Sequence, residues 1–317
     1  MGTATIAPRT ADEPTTASGG GRRQSARAGF GFLAPFLLLY VLFLVGPSLY
    51  GLVMSFFHTS LVKSGLGSFA GLANYAEAFR TPEFWASLWH TVWFTILTTP
   101  PLVILALAFA LLADRVVRGR WFFRLVFFAP YVLPSAVIAL IWSWIYTPDI
   151  GSLSGWLTTA AGWFGVEFTP PVWLGDPNWA MISVAAATVW WTIGFNFVLY
   201  LAGLQDIPRE LYESASIDGA SAWQQMTRIT VPLLGRTTTL VAVLQIIASL
   251  KIFDQIYLMT AGGPDFSTRP AIQYIYDVGF TDYRVGYASA VSMVLFALIL
   301  VVSLVWFTIM RRQEREV

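Results

Sequence analysis

The sequence predicts an all-α membrane protein with six transmembrane helices and both termini in the cytoplasm. Three observations carry that prediction. Hydrophobic residues make up 56% of the 317 and charged residues only 12%, against about 25% charged in a soluble globular chain. Long apolar runs recur at 30–57, 84–113, 121–146, 179–204, 237–259 and 286–310, and roughly 20 such residues cross a hydrocarbon core of about 30 Å. The basic residues are also distributed unevenly between alternate connections. One set holds Arg9, Arg22, Arg23 and Arg27, then Arg115, Arg118, Arg120 and Arg124, then Arg209, Arg228 and Arg236, then Arg311, Arg312 and Arg315; the other holds only Lys63, Arg80, Arg269 and Arg284. The richer set faces the cytosol by the positive-inside rule. A β-barrel is excluded, because its strands read as short alternating segments of about ten residues. Helices remain as the way to satisfy the backbone in lipid.

The elements follow in order. Residues 1–28 are rich in Gly, Ser, Thr, Ala and Arg without an apolar face, which reads as a disordered cytoplasmic tail. The first apolar run begins near Phe30 and is too long for the core of a signal peptide. The second run contains Pro100-Pro101 and the third Pro130 and Pro134, residues that kink membrane helices or serve bundle packing. An Arg-rich turn joins these two runs. The connection from Thr147 to Asn178 carries Asp149, Glu167 and Asp176 but no Lys or Arg, and so is external. The transmembrane domain is placed at 29–312, with a cytoplasmic loop at 206–235 and a short tail at 313–317. There is no cysteine, hence no disulfide or thiolate metal site.

The loop at 206–235 is polar and punctuated. Asp206 is placed to cap a helix with Pro208 in its first turn. Leu211, Ala215 and Asp218 then share a helical face. Gly219 suits the left-handed residue that ends a helix, and Ser221 with Gln224 forms an S-x-x-Q capping box for a second one. Small residues at Ser214, Ala215, Ser216 and Ala220 allow another protein to approach closely.

This loop resembles the docking loop of bacterial ABC importer permeases, whose pattern is E-A-A, three residues, G, nine residues, I, one residue, L-P. Glu213, Ala215, Gly219, Ile229 and Pro232 stand at the matching spacing; Ser214 replaces the first Ala and Val231 the Leu. The resemblance continues through Gly71-Leu-Ala-Asn-Tyr75, Ala129-Pro130-Tyr-Val-Leu-Pro134, Phe253-Asp254, Thr260-Ala-Gly262-Gly263-Pro264 and Gly286-Tyr-Ala288, over about 30–312. Together these are similar to the first permease subunit of importers for maltose, lactose, other oligosaccharides or glycerol 3-phosphate. His90 and Ser154 depart from it, each standing where Asn is common.

The resemblance implies the type I ABC importer permease fold in the bacterial plasma membrane. It implies a second permease subunit, two ATPase subunits that carry ATP and Mg, an extracytoplasmic solute-binding protein and a carbohydrate substrate. The chain itself lacks the G-x-x-x-x-G-K-S/T phosphate loop, so no cofactor, enzyme activity or nucleic-acid partner is expected of it. Glu213 would pair with an Arg of the ATPase, Gly219 would permit the bend, and Ala215, Asp218 and Ala220 would line the contact.

Sugar sites combine apolar surfaces with a few placed polar groups. Alignment with maltose-type subunits puts substrate contacts at Trp191, Thr192 and Phe195 in the fourth run and at Gln245, Ala248, Ser249 and Ile252 in the fifth. Asn196 and Gln245 are costly in lipid and are expected to face the interior, the alternative being a helix–helix hydrogen bond. Lys251 and Asp254, spaced i, i+3, form a candidate gate pair. His58 and His90 lie near membrane edges, and no metal site is expected. Two competing functions are an ion-coupled secondary transporter and a scaffold permease lining little of the solute site. Against the first, Asp254 is the only acid well inside a run.

Overall fold

The computed structural model describes residues 33–115, 120–148 and 151–313. The tail 1–28, part of the Arg-rich turn, Asp149 and residues 314–317 lie outside them. Among the described residues the structure is helical, apart from one isolated antiparallel bridge between Phe57 and Phe69. The described residues fall into two units, divided between Val53 and Met54.

The first unit is in essence helix α1, Leu33–Met54, with one wide turn at Val41–Val45. It is apolar all round, and none of its most hydrophobic window is buried within the chain.

In the second unit, α2 (Ala73–Arg80) leads into the long α3 (Pro82–Arg115). Helix α3 runs unbroken through Pro100-Pro101. The third apolar run is two helices, α4 (Arg120–Val132) and α5 (Ser135–Ile145), bent by 103° at the break. Pro134 explains the bend: it has no N–H to donate and disfavours helical geometry at Leu133 before it. The external connection contains a further helix, α6 (Ser152–Trp163). Helix α7 (Pro177–Gln205) is capped by Asp176, whose carboxylate accepts from the Asn178 N–H at 2.8 Å, with Pro177 at its first position.

Next come α8 (Arg209–Ile217), α9 (Ala222–Leu233) and α10 (Gly235–Leu250), with a bend of 56° between the last two. The fifth run is not continuous to 259. It stops at Leu250, and α11 begins afresh at Asp254 and ends at Thr260. Lys251 to Phe253 are non-helical, with Ile252 buried and the Phe253 ring stacked on Tyr257 at 5.1 Å. Helix α12 (Ala271–Tyr276) and α13 (Val285–Gln313) complete the chain. Among the described residues, four helices are long and apolar enough to cross a membrane, or up to six if each bent pair is one span.

Helices α3 and α7 form the most extensive contact, with α10 on α3 and α4 on α7. Between them, Ala106, Ala110 and Ala113 meet Phe197, Tyr200, Leu201 and Leu204. Small residues let membrane helices approach closely, and packing rather than water exclusion holds them together. Gly194 marks one close approach: a Cβ there would overlap the backbone of Phe127 and Phe128 on α4. At the opposite end of α3, α2 and α12 pack with α13 around Ala78, Phe84, Tyr274, Tyr287 and Val291. Arg284 donates to both carboxylate oxygens of Glu77 at 2.7 Å there.

Candidate functional site

Two sites emerge: a polar cavity among α3, α7, α10 and α11, and a helical hairpin formed by α8 and α9. The cavity measures about 190 Å³. Helix α3 lines it with Phe94, Thr98 and Leu102, α7 with Thr188, Trp191 and Thr192, and α10 with Gln245, Ala248 and Ser249. The broken segment adds Lys251, Ile252, Phe253, Asp254 and Gln255. Eight of the ten residues expected on the pathway or at the gate therefore share one cavity: Trp191, Thr192, Gln245, Ala248, Ser249, Lys251, Ile252 and Asp254.

Their hydrogen bonds decide what each can offer. Gln245 Nε2 donates to Asn196 Oδ1 at 2.9 Å, and Asn196 Nδ2 donates back to the Thr192 carbonyl at 3.3 Å. Asn196 is fully buried and does not line the cavity; it orients Gln245, which does. Gln245 keeps its carbonyl oxygen and second N–H for other partners. Ser249 Oγ lies 2.9 Å from Thr95 Oγ1 and 3.0 Å from the Ile246 carbonyl, tying α10 to α3. Thr192 Oγ1 donates to the Thr188 carbonyl at 2.8 Å, leaving its lone pairs open. Trp191 Nε1 donates to the Leu133 carbonyl at 3.2 Å, so the indole N–H serves the break before Pro134 while the ring borders the cavity. Phe195 is turned elsewhere, stacked on Tyr131 at 5.1 Å.

Lys251 and Asp254 both border the cavity but not as neighbours on one helix. The i, i+3 helical geometry is corrected by the break: Lys251 terminates α10 and Asp254 starts α11. No ion pair joins them among the described residues; Asp254 instead accepts from Ser135 Oγ on α5 at 3.2 Å. His90 Nδ1 lies 3.1 Å from the Arg269 carbonyl, and Ser154 Oγ accepts from Trp173 Nε1 at 2.9 Å.

A larger cavity of about 610 Å³ lies between α3, α4 and α7, lined by residues such as Leu97, Pro101, Phe109, Phe127 and Ile193. Among the described residues lining it, the Trp190 indole is the one side chain able to hydrogen bond, and these residues do not offer the placed polar groups a sugar requires.

The hairpin is built from local rules. Asp206 does not cap α8, contrary to the sequence expectation. It lies at the C-terminal end of α7, and Pro208, without a side-chain acceptor, occupies the cap position. Helix α8 ends in a Schellman motif: the Ala220 N–H donates to the Ala215 carbonyl at 2.9 Å and the Gly219 N–H to Ser216 at 3.1 Å. Gly219 has φ +79°, where a side chain is strained. Ser221 and Gln224 form the expected reciprocal capping box. Gln225 Nε2 then bridges back to Ser216 Oγ at 2.9 Å and the Ala220 carbonyl at 3.3 Å. Behind the bend, the Tyr212 and Thr230 hydroxyls lie 2.9 Å apart.

Outward, Glu213, Asp218 and Gly219 are exposed, and Ala215 and Ala220 are half-buried. Ile217 is 87% exposed and Trp223 68%, an apolar patch beside the acidic residues. The apolar content of this patch was not picked out from sequence, although an isoleucine among Ser, Ala and Asp residues was a visible signal. The contribution of Phe94, Thr98 and Leu102 to the cavity was also missed, because α3 reads as one long apolar run.

Residues 102–317 match the family described as binding-protein-dependent transport system inner membrane component. The chain is 36% identical over 282 residues to the sulfoquinovosyl glycerol transport system permease protein SmoG of Agrobacterium fabrum, covering 89% of this chain and 90% of that one. It is 34% identical to the trehalose/maltose transport system permease protein MalF of Thermococcus litoralis, covering 91% and 95%. It is 34% identical to the sn-glycerol-3-phosphate transport system permease protein UgpA of Agrobacterium fabrum, covering 89% and 94%. Its fold matches a chain of a bacterial ABC transporter involved in import of the acidic polysaccharide alginate, with TM-score 0.77, 24% identity and coverage of 92% and 98%.

Proposed function

Since the chain belongs to the family of binding-protein-dependent transport inner-membrane components, a multi-pass permease of the bacterial plasma membrane, we propose that it is one of two permease subunits of an ATP-driven importer of a sugar or sugar-like solute. Six spans with both termini cytoplasmic are part of this reading. So are a second permease, two ATPase subunits holding ATP and Mg, and an extracytoplasmic binding protein that delivers the carbohydrate. The chain carries no hydrolytic step of its own.

The observation that carries the reading is the convergence of Trp191, Thr192, Gln245 and Ser249 on one cavity. An aromatic ring beside amide and hydroxyl groups suits a solute with many hydroxyls. A pocket for a small ligand measures about 300–1,000 Å³, and the cavity here is smaller, at about 190 Å³. The reading accounts for this by having the second permease complete the site. Lys251 and Asp254 stand at its border as a gate.

The hairpin supplies the coupling. Its exposed Glu213 and Asp218 suit basic groups on an ATPase, and Ile217 gives the contact an apolar centre. When the ATPases close, the pair α8–α9 moves with them, and α10, which follows directly, carries the movement to Gln245 and Ser249.

The test is substrate-stimulated ATPase activity and solute uptake of the co-purified complex in nanodiscs, for wild type, Gln245→Ala and Glu213→Ala. Gln245→Ala should weaken solute handling while the complex stays assembled; Glu213→Ala should lower stimulation or release the ATPase. Unaided transport by the isolated chain, indifferent to both changes, would overturn the reading in favour of an ion-coupled carrier.

A further inference from the structure

Helix α6 lies outside both sites, and it carries the most exposed large aromatics of its region. Trp156 is 71% exposed, Trp163 81% and Phe164, just past the helix, 83%. Trp156 and Trp163 are seven residues apart, which returns to the same face of a helix; Ala160, half-buried, lies between them at the edge of that face. Ser154 is buried and falls about 200° away from Trp156 at 100° per residue, so the tryptophans point away from the side pinned to the protein.

The position of α6 relative to the bilayer follows from its contacts. Ser154 Oγ accepts from Trp173 Nε1 at 2.9 Å, and the Trp173 ring meets Trp179 edge-on at 5.5 Å. Trp179 and Ile182, both 41% exposed, open the first turns of α7, a span-length helix. A continuous set of contacts therefore holds α6 beside the N-terminal turns of α7. With 12 residues, α6 reaches about 18 Å, too short to cross the core. No Asp, Glu, Lys or Arg occurs from Gly151 to Val166, while Glu167 and Asp176 follow.

We propose that α6 lies in the plane of the bilayer surface, with Trp156, Ala160, Trp163 and Phe164 seated in the headgroup boundary of the leaflet where α7 begins. The occupant of this apolar face is lipid. Tryptophan suits that layer because its ring is apolar and its N–H reaches polar headgroups. Without Asp, Glu, Lys or Arg, α6 brings no charge to that boundary. The anchor fixes the outer end of α7, and so braces the helix that carries Trp191 and Thr192. The placement needs only that the chain is a membrane protein and does not depend on its being a sugar importer.

The chain contains no cysteine, so single spin labels can be introduced directly. Ala160→Cys and, as a water-exposed reference in the 55–72 loop, Ser64→Cys are labelled in the assembled complex in nanodiscs. Collision with oxygen relative to a water-soluble nickel complex should be several-fold higher at residue 160 than at 64. In a second measurement, lipids brominated near the headgroup should quench the fluorescence difference between wild type and Trp163→Phe, and lipids brominated at the chain end should not. Free access of the nickel complex to residue 160 would overturn the proposal by placing α6 in water. Shielding from both reagents would overturn it by placing a protein surface over the same face.

Discussion

Gln245 on α10 donates its side-chain N–H to the Asn196 carbonyl oxygen on α7 at 2.9 Å, and both residues are buried. The bond crosses between the two helices that supply most of the polar lining of the cavity. It also fixes which way the Gln245 amide faces. Replacing Asn196 with Leu removes the acceptor and leaves a buried donor unpaired, which costs about 1–3 kcal/mol. We expect lower thermal stability and a raised KM for uptake, with the complex still assembled. Gln245→Leu combined with Asn196→Leu should be less damaging to stability than the sum of the two, since it removes both partners. Across membrane helices such couplings average about 0.6 kcal/mol, measurable by a double-mutant cycle of unfolding midpoints.

Tyr212 and Thr230 connect the hairpin to the bundle. Tyr212 packs its ring on the core that includes Leu204 and Ile207, and its hydroxyl meets the buried Thr230. If motion passes from α8 to α10 through this contact, Tyr212→Phe and Thr230→Val should each leave ATP hydrolysis running while uptake per ATP falls. Thr230→Ser keeps the hydroxyl and should restore the ratio. An equal loss of uptake and hydrolysis in Tyr212→Phe would point to simple weakening of the fold.

Much of this was legible in the sequence because membrane helices and helix caps are written in local patterns. Gly219, Ser221 and Gln224 specified the bend between α8 and α9 through backbone rules that act within a few residues. The residues of α7 and α10 that share the cavity were picked out through the family resemblance rather than from polarity alone. What the sequence concealed depended on distant contacts. The stop after Leu250 has no proline or glycine to mark it; Ile252 burial and the stacking of Phe253 on Tyr257 accompany it. Asp206 looked like a cap because its neighbours permit one, yet α7 extends to Gln205 and claims it as its own end. Trp191 was expected only as a substrate contact, and nothing local to it showed that the broken helix before Pro134 takes its N–H.

The exposed Ile217 makes the proposed docking surface testable apart from its charges. An apolar side chain at 87% exposure gains by being covered, roughly 1.5–3 kcal/mol for full burial. Ile217→Asp should therefore weaken recovery of the ATPase subunits in co-purification about tenfold or more, that being the effect of 1.4 kcal/mol on an equilibrium. The variant's own fold should be unaffected, since Ile217 is not buried in it. Unchanged recovery would remove Ile217 from the contact and leave Glu213 and Asp218 to account for docking.

Asp277 gives a pH prediction outside the membrane spans. Burial pushes its carboxyl up from the ordinary value; Arg269, with its guanidinium 3.7 Å away, pulls it down, and Asp282 adds to the rise. The net direction is upward, so the folded state holds this proton more tightly than the unfolded chain does. Stability from this group is then fully present below the unfolded pKa and is lost as pH rises through the folded one. Asp277→Asn keeps the shape without the ionisation. Its melting temperature should exceed wild type near pH 7, and the gap should close as the pH is lowered toward about 4, the ordinary Asp range. A gap of the opposite sign at neutral pH would mean that the Arg269 pairing outweighs the burial of Asp277.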